Sequence, residues 1–522
     1  MEKKWWTLLG VCGGTFMLLL DTTIVYVVMP DAQRDLGAGL SDVQWVVDAY
    51  ALSLASLLLT AGTLADRFGR RRLYTVGVAV FTAASLLCAA AQSPLMLVLA
   101  RLLQGVGGSM MFATGLALIA GSFEGRERGS AFGVWGMVTG VASAAGPVLG
   151  GLISSGVGWR GVFLINIPIG VAVAAVVALR ADESRSPSAR RLDLPGFVLL
   201  TGGLATLVYG LIRAGEAGWS DPGAVIGLVV GGVLLAAFLG VEAIVGEPMF
   251  DLRLFRIPTF VGGSVAAFAM NGSLFAMFLF LAIHFQDALG YSSLQTGLRL
   301  LAASLSMLVA SLVAGRLSAR VQPRCLIGVG LLLVGTALLL MGRVTGSTGW
   351  THFLPGLVLG GIGAGLVNPP LASTAVGVVH FSRSGMASGV NGTFRQLGVS
   401  AGVAVLGSAF AAVVTDRFHR GLRGVPGLAA RSDELAARVR AGDLAGAVQS
   451  VPERYHGRIE QLAADGFADG INALLTISAA LALVGGVLAL VLIRAADFQA
   501  APQPGPAPAP ETPGPSPVAA KG

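Results

Sequence analysis

The stretch GTLADRFGRRRL at 62–73 returns in altered form as GRLSARVQPRCL at 315–326. Gly62, Leu64, Arg67, Arg71 and Leu73 fall on Gly315, Leu317, Arg320, Arg324 and Leu326. Two further pairs keep nearly the same offset. GVGGS (105–109) falls on GIGAG (361–365). Gly129, Ala131, Gly133, Gly136, Gly146 and Gly151 fall on Gly385, Ala387, Gly389, Gly392, Gly402 and Gly407. Glycine-rich sequence yields chance matches singly. A shared offset of about 253–256 residues across three segments implies one unit used twice, in the same orientation.

The solvent of that unit follows from composition. The 522 residues are 54% hydrophobic and 12% charged, with mean hydropathy +0.76. A soluble domain carries about twice that charged fraction, so the chain reads as an all-α polytopic membrane protein. The first apolar run, Trp5 to Met29, is too long for a removable leader and lacks a small-residue cleavage site. It is expected to be kept as the first span, with no soluble domain before it. The net charge of +7 sits mostly in short loops between spans and does not suggest nucleic acid. Cys12, Cys88 and Cys325 form no disulfide framework, and the five histidines are scattered without ligand spacing. No metal or cofactor is expected. A phosphate-binding GxxxxGK[ST] loop is absent, so ATP hydrolysis is not expected either.

Fourteen candidate helices follow from hydropathy: 6–29, 43–61, 73–91, 95–119, 130–154, 162–180, 195–213, 223–246, 258–283, 294–314, 325–342, 353–376, 386–413 and 471–493. Alternate loops are rich in arginine: Arg67 and Arg70 to Arg72; Arg126 and Arg128; Arg180, Arg185, Arg190 and Arg191; Arg253 and Arg256; Arg316, Arg320 and Arg324. The positive-inside rule then puts both termini in the cytoplasm. The expected organisation is a six-helix bundle over 1–180, two inserted helices with linkers over 181–257, and a second six-helix bundle over 258–494. An outer, partly helical excursion at 415–470 reads as a solvated cap. A Pro-rich tail at 495–522 reads as disordered. Parallel repeats about an axis along the membrane normal suit a transporter that rocks around a central site.

Charges inside the spans carry the chemistry. Asp21 lies about 22 Å along the first span, and Arg101 about 9 Å into the fourth from the other side. Asp48 and Arg299 enter at similar depth, so four ionisable groups share the outer third of the bilayer. A carboxylate there costs several kcal/mol unless paired, wet or protonated. Asp21 is either a structural ion pair with Arg101 or a proton carrier whose balance of burial and neighbouring charge changes with access. Asp48 reads equally as a second proton or substrate site and as an interfacial residue. Arg395 is the only charge deep in the thirteenth span. In the fifth span Gly133, Gly136, Gly140, Ser143, Pro147 and Gly150 share one face, a surface for close helix approach.

LDTTIVYVVMP, GTLADRFGRRR, RLLQGVGG, GPVLGG and WRGVFLINIPIG, in this order, resemble the signatures of the major facilitator superfamily. With fourteen spans the chain looks like the drug:proton antiporter branch of that family. Tyr26 stands where the first motif usually has Asn. The resemblance implies a two-bundle transporter, not an enzyme, exporting hydrophobic or amphipathic compounds in exchange for protons. It implies that Asp66, with Gly62, Arg67, Gly69 and Arg70, helps lock a cytoplasmic gate, and that the second copy lacks the lock because it has Ala319. It also implies that Gly140, Gly146, Pro147, Gly150 and Gly151 mark antiporters. Candidate cavity residues are Tyr26, Trp45, Tyr50, Phe112, Trp135, Arg299, Phe394 and Arg395. Expected partners are a small amphipathic molecule, protons and the lipid bilayer, with the chain acting as a monomer. A dedicated exporter of one endogenous metabolite, lipid or antibiotic, and more remotely a membrane sensor, are the alternatives.

Overall fold

A computed structural model describes residues 2–38, 40–184, 194–245, 250–318, 320–346, 348–380, 383–425, 427–440 and 444–498. Ala319 and residues 499–522 of the expected disordered tail therefore lie outside the described residues, as do the side chains of Tyr26, Arg126 and Pro147.

Among the described residues fourteen long helices follow one another: α1 Lys3–Leu36, α2 Leu40–Phe68, α3 Arg70–Ala89, α4 Pro94–Ser122, α5 Gly125–Val157, α6 Gly161–Arg180, α7 Leu194–Ala217, α8 Pro222–Ile244, α9 Pro258–Gln286, α10 Ser293–Leu317, α11 Pro323–Leu340, α12 Leu354–Gly377, α13 Ser384–Leu422 and α14 His456–Leu492. Among the described residues, thirteen are long and apolar enough to cross a membrane. The other is α5, 33 residues long. The described residues contain no strand.

Local sequence sets the helix ends. Ser93 caps α4 by accepting from Met96 N–H, with Pro94 at the first helical position. Ser292 and Gln295 form a capping box on α10. Between α2 and α3 the chain turns on Gly69 alone, at φ +108°, which a side chain would strain. Within α9 a π-helical turn, Asn271–Phe275, interrupts the α pattern that the sequence predicted as continuous over 258–283, and a second, His284–Ala288, follows that stretch.

The repeat is visible in the packing. In the first half α1 packs on α5 and α6, α4 on α2 and α3, and α3 on α6. In the second half α9 packs on α13 and α14, α12 on α10 and α11, and α11 on α14. These are the same pairs one copy later. The halves meet along two seams, α2 against α13 and α5 against α10, which are again equivalent pairs with partners exchanged. The inserted α7–α8 hairpin lies over the first seam. Thr201 bonds Thr60 of α2 at 3.0 Å, Tyr209 stacks on Trp45 of α2 at 6.1 Å, and Trp219 Nε1 donates to Ser408 Oγ of α13 at 2.8 Å.

One end of the bundle carries both described ends of the chain and is called the terminal face. There Lys3 pairs with Asp182, and Asp497 Oδ2 accepts from Thr259 Oγ1 at 2.7 Å. The first residues of the expected tail are thus seated against α9. At the opposite face the 415–470 excursion is shorter than the hydropathy reading. Helix α13 runs on to Leu422 and α14 starts at His456. Between them Ser432–Arg440 and Leu444–Gln449 close a small core with Phe418, Leu435, Val439 and Ile459. Residues 456–470 are polar on one face, so hydropathy alone did not extend the last helix over them.

Candidate functional site

Asp21 is fully buried inside the first half. Its Oδ2 accepts from Arg101 Nη1 at 2.5 Å, and its Oδ1 from Gln104 Nε2 at 2.8 Å and Asn166 Nδ2 at 2.9 Å. Helix spacing builds part of this: Arg101 and Gln104 are three residues apart on α4 and so share a face. The guanidinium also donates to Val46 O at 3.2 Å and Gln104 Oε1 at 2.6 Å. Its carbon stands 4.2 Å from the Tyr50 ring centroid. Ser85 Oγ accepts from Gln104 at 2.8 Å and from Asn166 at 3.3 Å. The charges are matched and every bond stays within the first half.

The sequence reading brought Asp21 and Arg101 together, and the structure does the same. It missed Gln104, Asn166 and Ser85. The signal for the first two was present, since each is an amide inside an otherwise apolar motif. Tyr50, a cavity candidate, is instead spent on Arg101. Asp48 is half-buried on α2. Two residues from both Val46 and Tyr50, it lies on the side of the helix away from their contacts with Arg101.

The seams are pinched at the terminal face. A Cβ on Gly62 would come within 2.2 Å of Gly385 O, and one on Gly389 within 2.6 Å of Leu58 O. In the equivalent seam, a Cβ on Gly129 would meet Gly315 O at 2.7 Å and one on Gly133 would meet Gly315 Cα at 3.1 Å. Further along α5 the nearest atom to a Gly140 Cβ is Ser304 O at 3.4 Å, and Gly151 has nothing within 4 Å. Gly151 is eleven residues beyond Gly140 and so on the same face. The halves therefore touch at the terminal face and part toward the other. Helix α13 reports the same: Ser384 to Thr393 are buried at every position, whereas Phe394 to Leu397 are half-exposed. Gly146 instead packs on Thr23 of α1, where a Cβ would meet Oγ1 at 1.9 Å.

Asp66 closes the first seam. Its two oxygens accept from Gly385 N–H and Met386 N–H, both at 2.9 Å, across the seam at the start of α13. Arg70, fully buried, donates to Asp66 Oδ1 through Nε at 3.0 Å and Nη2 at 2.7 Å. Arg67 lies over the Phe68 ring at 5.2 Å. Glu183, which sequence reasoning missed, accepts from Arg71 N–H at 3.1 Å and Arg72 N–H at 3.2 Å and so caps α3. It lies 112 residues beyond Arg71, and no local signal marked it. Beside the seam Arg383 pairs with Asp251 at 2.5 Å.

Above the pinch, where the halves begin to part, Arg395 of α13 donates to Asn391 Oδ1 and Asn368 Oδ1, both at 2.9 Å. Its guanidinium carbon is 5.9 Å from the Trp135 ring of α5. Trp135 Nε1 donates to Thr15 Oγ1 of α1 at 3.1 Å. Phe112 flanks the α13 backbone, since a Cβ on Gly392 would come within 3.2 Å of its ring. Trp135, Phe112 and Arg395 therefore gather at one level, whereas Phe394 packs against the cluster that holds Leu200, Phe260 and Val390. Trp45 and Arg299 lie elsewhere. Trp45 is exposed against Tyr209, and the Arg299 guanidinium sits 3.7 Å from the Tyr291 ring and 5.3 Å from the Trp350 ring, with Nη1 on Gln295 O. Groups of three or more metal-ligating side chains are absent among the described residues.

Residues 11–403 match the family model of the Major Facilitator Superfamily. The chain belongs to that superfamily. It is 35% identical over 510 residues to the tetracenomycin C resistance and export protein of Streptomyces glaucescens, covering 96% of this chain and 94% of the relative. It is 34% identical over 492 residues to the multidrug resistance protein Stp of Mycobacterium tuberculosis, covering 92% and 90%. Among solved structures the human organic anion transporter MFSD10 superposes with TM-score 0.63 at 15% identity, over 94% of this chain and 100% of that one, a likeness of fold. Both curated relatives are named as resistance or export proteins, and this superfamily member is a multi-pass membrane transporter.

Proposed function

We propose that the chain is a proton-coupled antiporter that exports hydrophobic and amphipathic compounds by alternating access. One chain supplies both halves of the seam, so a monomer is the working unit. The terminal face lies in the cytoplasm, because the arginine-rich loops gather there. The observation that carries the reading is Asp21: a carboxylate sealed in an apolar bundle with one arginine and two amides. Such a group loads and releases a proton when access to it changes. The conformation described, pinched at the terminal face and parted at the other, is the releasing state of such a cycle. A dedicated exporter of one self-made antibiotic is the second reading, favoured by the single-compound name of the Streptomyces relative.

The test is substrate-induced proton release from the purified protein in reconstituted vesicles, over a panel of dyes and antibiotics. Protons released by several unrelated amphiphiles support the antiporter, and release by a single compound supports the dedicated exporter. Asp21→Asn is expected to abolish uphill export while keeping equilibrium binding. Wild-type pumping by that variant would refute proton coupling through Asp21.

A further inference from the structure

Arg101 and Arg395 are both held within the bundle, and they are treated differently. Arg101 has its counter-ion in Asp21. Arg395 has none: among the described residues it enters no ion pair, and its two donated bonds go to the neutral amides of Asn368 and Asn391. Its Nη2 is buried without any hydrogen-bond partner. A cation left this way in the membrane interior costs several kcal/mol, a cost that packing alone does not repay.

The position of Arg395 suggests what the open valence is for. It stands on the second half, at the last level where the halves still touch, with the Trp135 ring of the first half beside it. In the conformation described the guanidinium is turned onto the two asparagine oxygens and the unpartnered nitrogen is covered. Separating the halves at the terminal face draws Trp135 away from Arg395 and uncovers that nitrogen on the side from which cargo would load.

We propose that Arg395, oriented by Asn368 and Asn391, is the recognition point for an anionic group on the exported compound: a carboxylate, enolate or phenolate carried on an apolar aromatic body. Planar guanidinium matches two oxygens side by side, and the neighbouring aromatic residues Phe112 and Trp135 match the body. The asparagines hold the guanidinium when cargo is absent, so release restores bonds within the protein. This rests on the reading of the chain as an exporter and deepens it by naming the substrate class.

The test uses matched pairs of aromatic dyes, one member a free carboxylate and the other its neutral ester, in vesicles holding the full chain. The quantity read is the ratio of carboxylate to ester transported. A charge-assisted bond lost to neutral replacement should lower that ratio about 10- to 100-fold in Arg395→Gln. Arg395→Lys should restore part of it. Asn368→Asp, which sets a fixed carboxylate against Arg395, should lower it in the same direction by a different route. An unchanged ratio in Arg395→Gln and Asn368→Asp overturns the proposal, as does a wild-type ratio that favours the ester. Failure of the wild type to move either member would refute the exporter reading instead.

Discussion

Asp66→Asn probes the seam with a magnitude that the structure sets. The carboxylate accepts four hydrogen bonds, two from Arg70 and two from the N–H groups of Gly385 and Met386. Arg70 belongs to the same half as Asp66, so that pair persists whichever way the halves stand and cancels from the comparison. Only the two backbone contacts distinguish closed from open. Hydrogen bonds to a charged group contribute about 1.5–3 kcal/mol each, so the contacts together favour the closed terminal face by about 3–6 kcal/mol. Asparagine keeps one carbonyl oxygen for one N–H and turns an amide donor toward the other. About half the preference is lost, or roughly 10- to 100-fold in the ratio of closed to open. Spin labels at Arg72 and Arg320, exposed residues at the terminal ends of the two halves, read the populations as a distance distribution by pulsed electron resonance. The longer distance should gain weight in the variant, and turnover should slow. A distribution matching the wild type would refute the assignment of Asp66 as the lock.

Steric closure gives an independent check: Gly62→Ala would set a methyl 2.2 Å from Gly385 O, and Gly315→Ala one 2.7 Å from Gly129 O. Both should lengthen the same distance, the first more than the second, and an unchanged distance in either would contradict the pinch. Arg101→Ala removes the counter-ion of the sealed Asp21 and should destabilise the purified protein by about 3–5 kcal/mol. The double variant Asp21→Asn/Arg101→Ala should recover most of that in thermal melting, and no recovery would break the pairing. Burial raises the Asp251 carboxyl, but the Arg383 guanidinium and the Arg253 N–H outweigh it and hold the group below the usual carboxylate range. A depressed folded value means the Asp251–Arg383 contribution is present above about pH 4 and lost only as the pH falls through that value. The difference in melting temperature between wild type and Asp251→Asn should therefore stay constant from pH 8 to pH 5, and a difference that collapses in that window would refute the sign. Rigid dicationic biguanides and diamidines should be exported poorly, because Arg395 adds positive charge where cargo would sit. Strong protection of a pump-deficient host against them, with little against monovalent dyes, would overturn this.

Much of the molecule was legible in the chain itself because a bilayer leaves few choices. Backbone groups in lipid must bond within their own helix, so apolar runs of span length are helices wherever they occur. That places the α1 to α14 cores with ends shifted by a few residues, except where an amphipathic segment such as 456–470 prolongs a helix beyond the lipid. The repeat was legible for a related reason. Gly62, Gly129, Gly315 and Gly385 are backbone contacts with no room for a side chain, and glycine is the one residue whose reason for being there is written in its identity. Tertiary structure decided the rest. Depth along a helix can be counted, but which of several charges at one depth meet depends on helix rotation, which one sequence does not give. Hence Asp21 and Arg101 pair while Arg299 is held between rings at the far end of α10. Nothing local announced that Glu183 would cap α3 from the end of the sixth helix, or that Tyr50 would lie on Arg101. The absence of a counter-ion for Arg395 is a property of everything packed around it, and only the assembled bundle decides it.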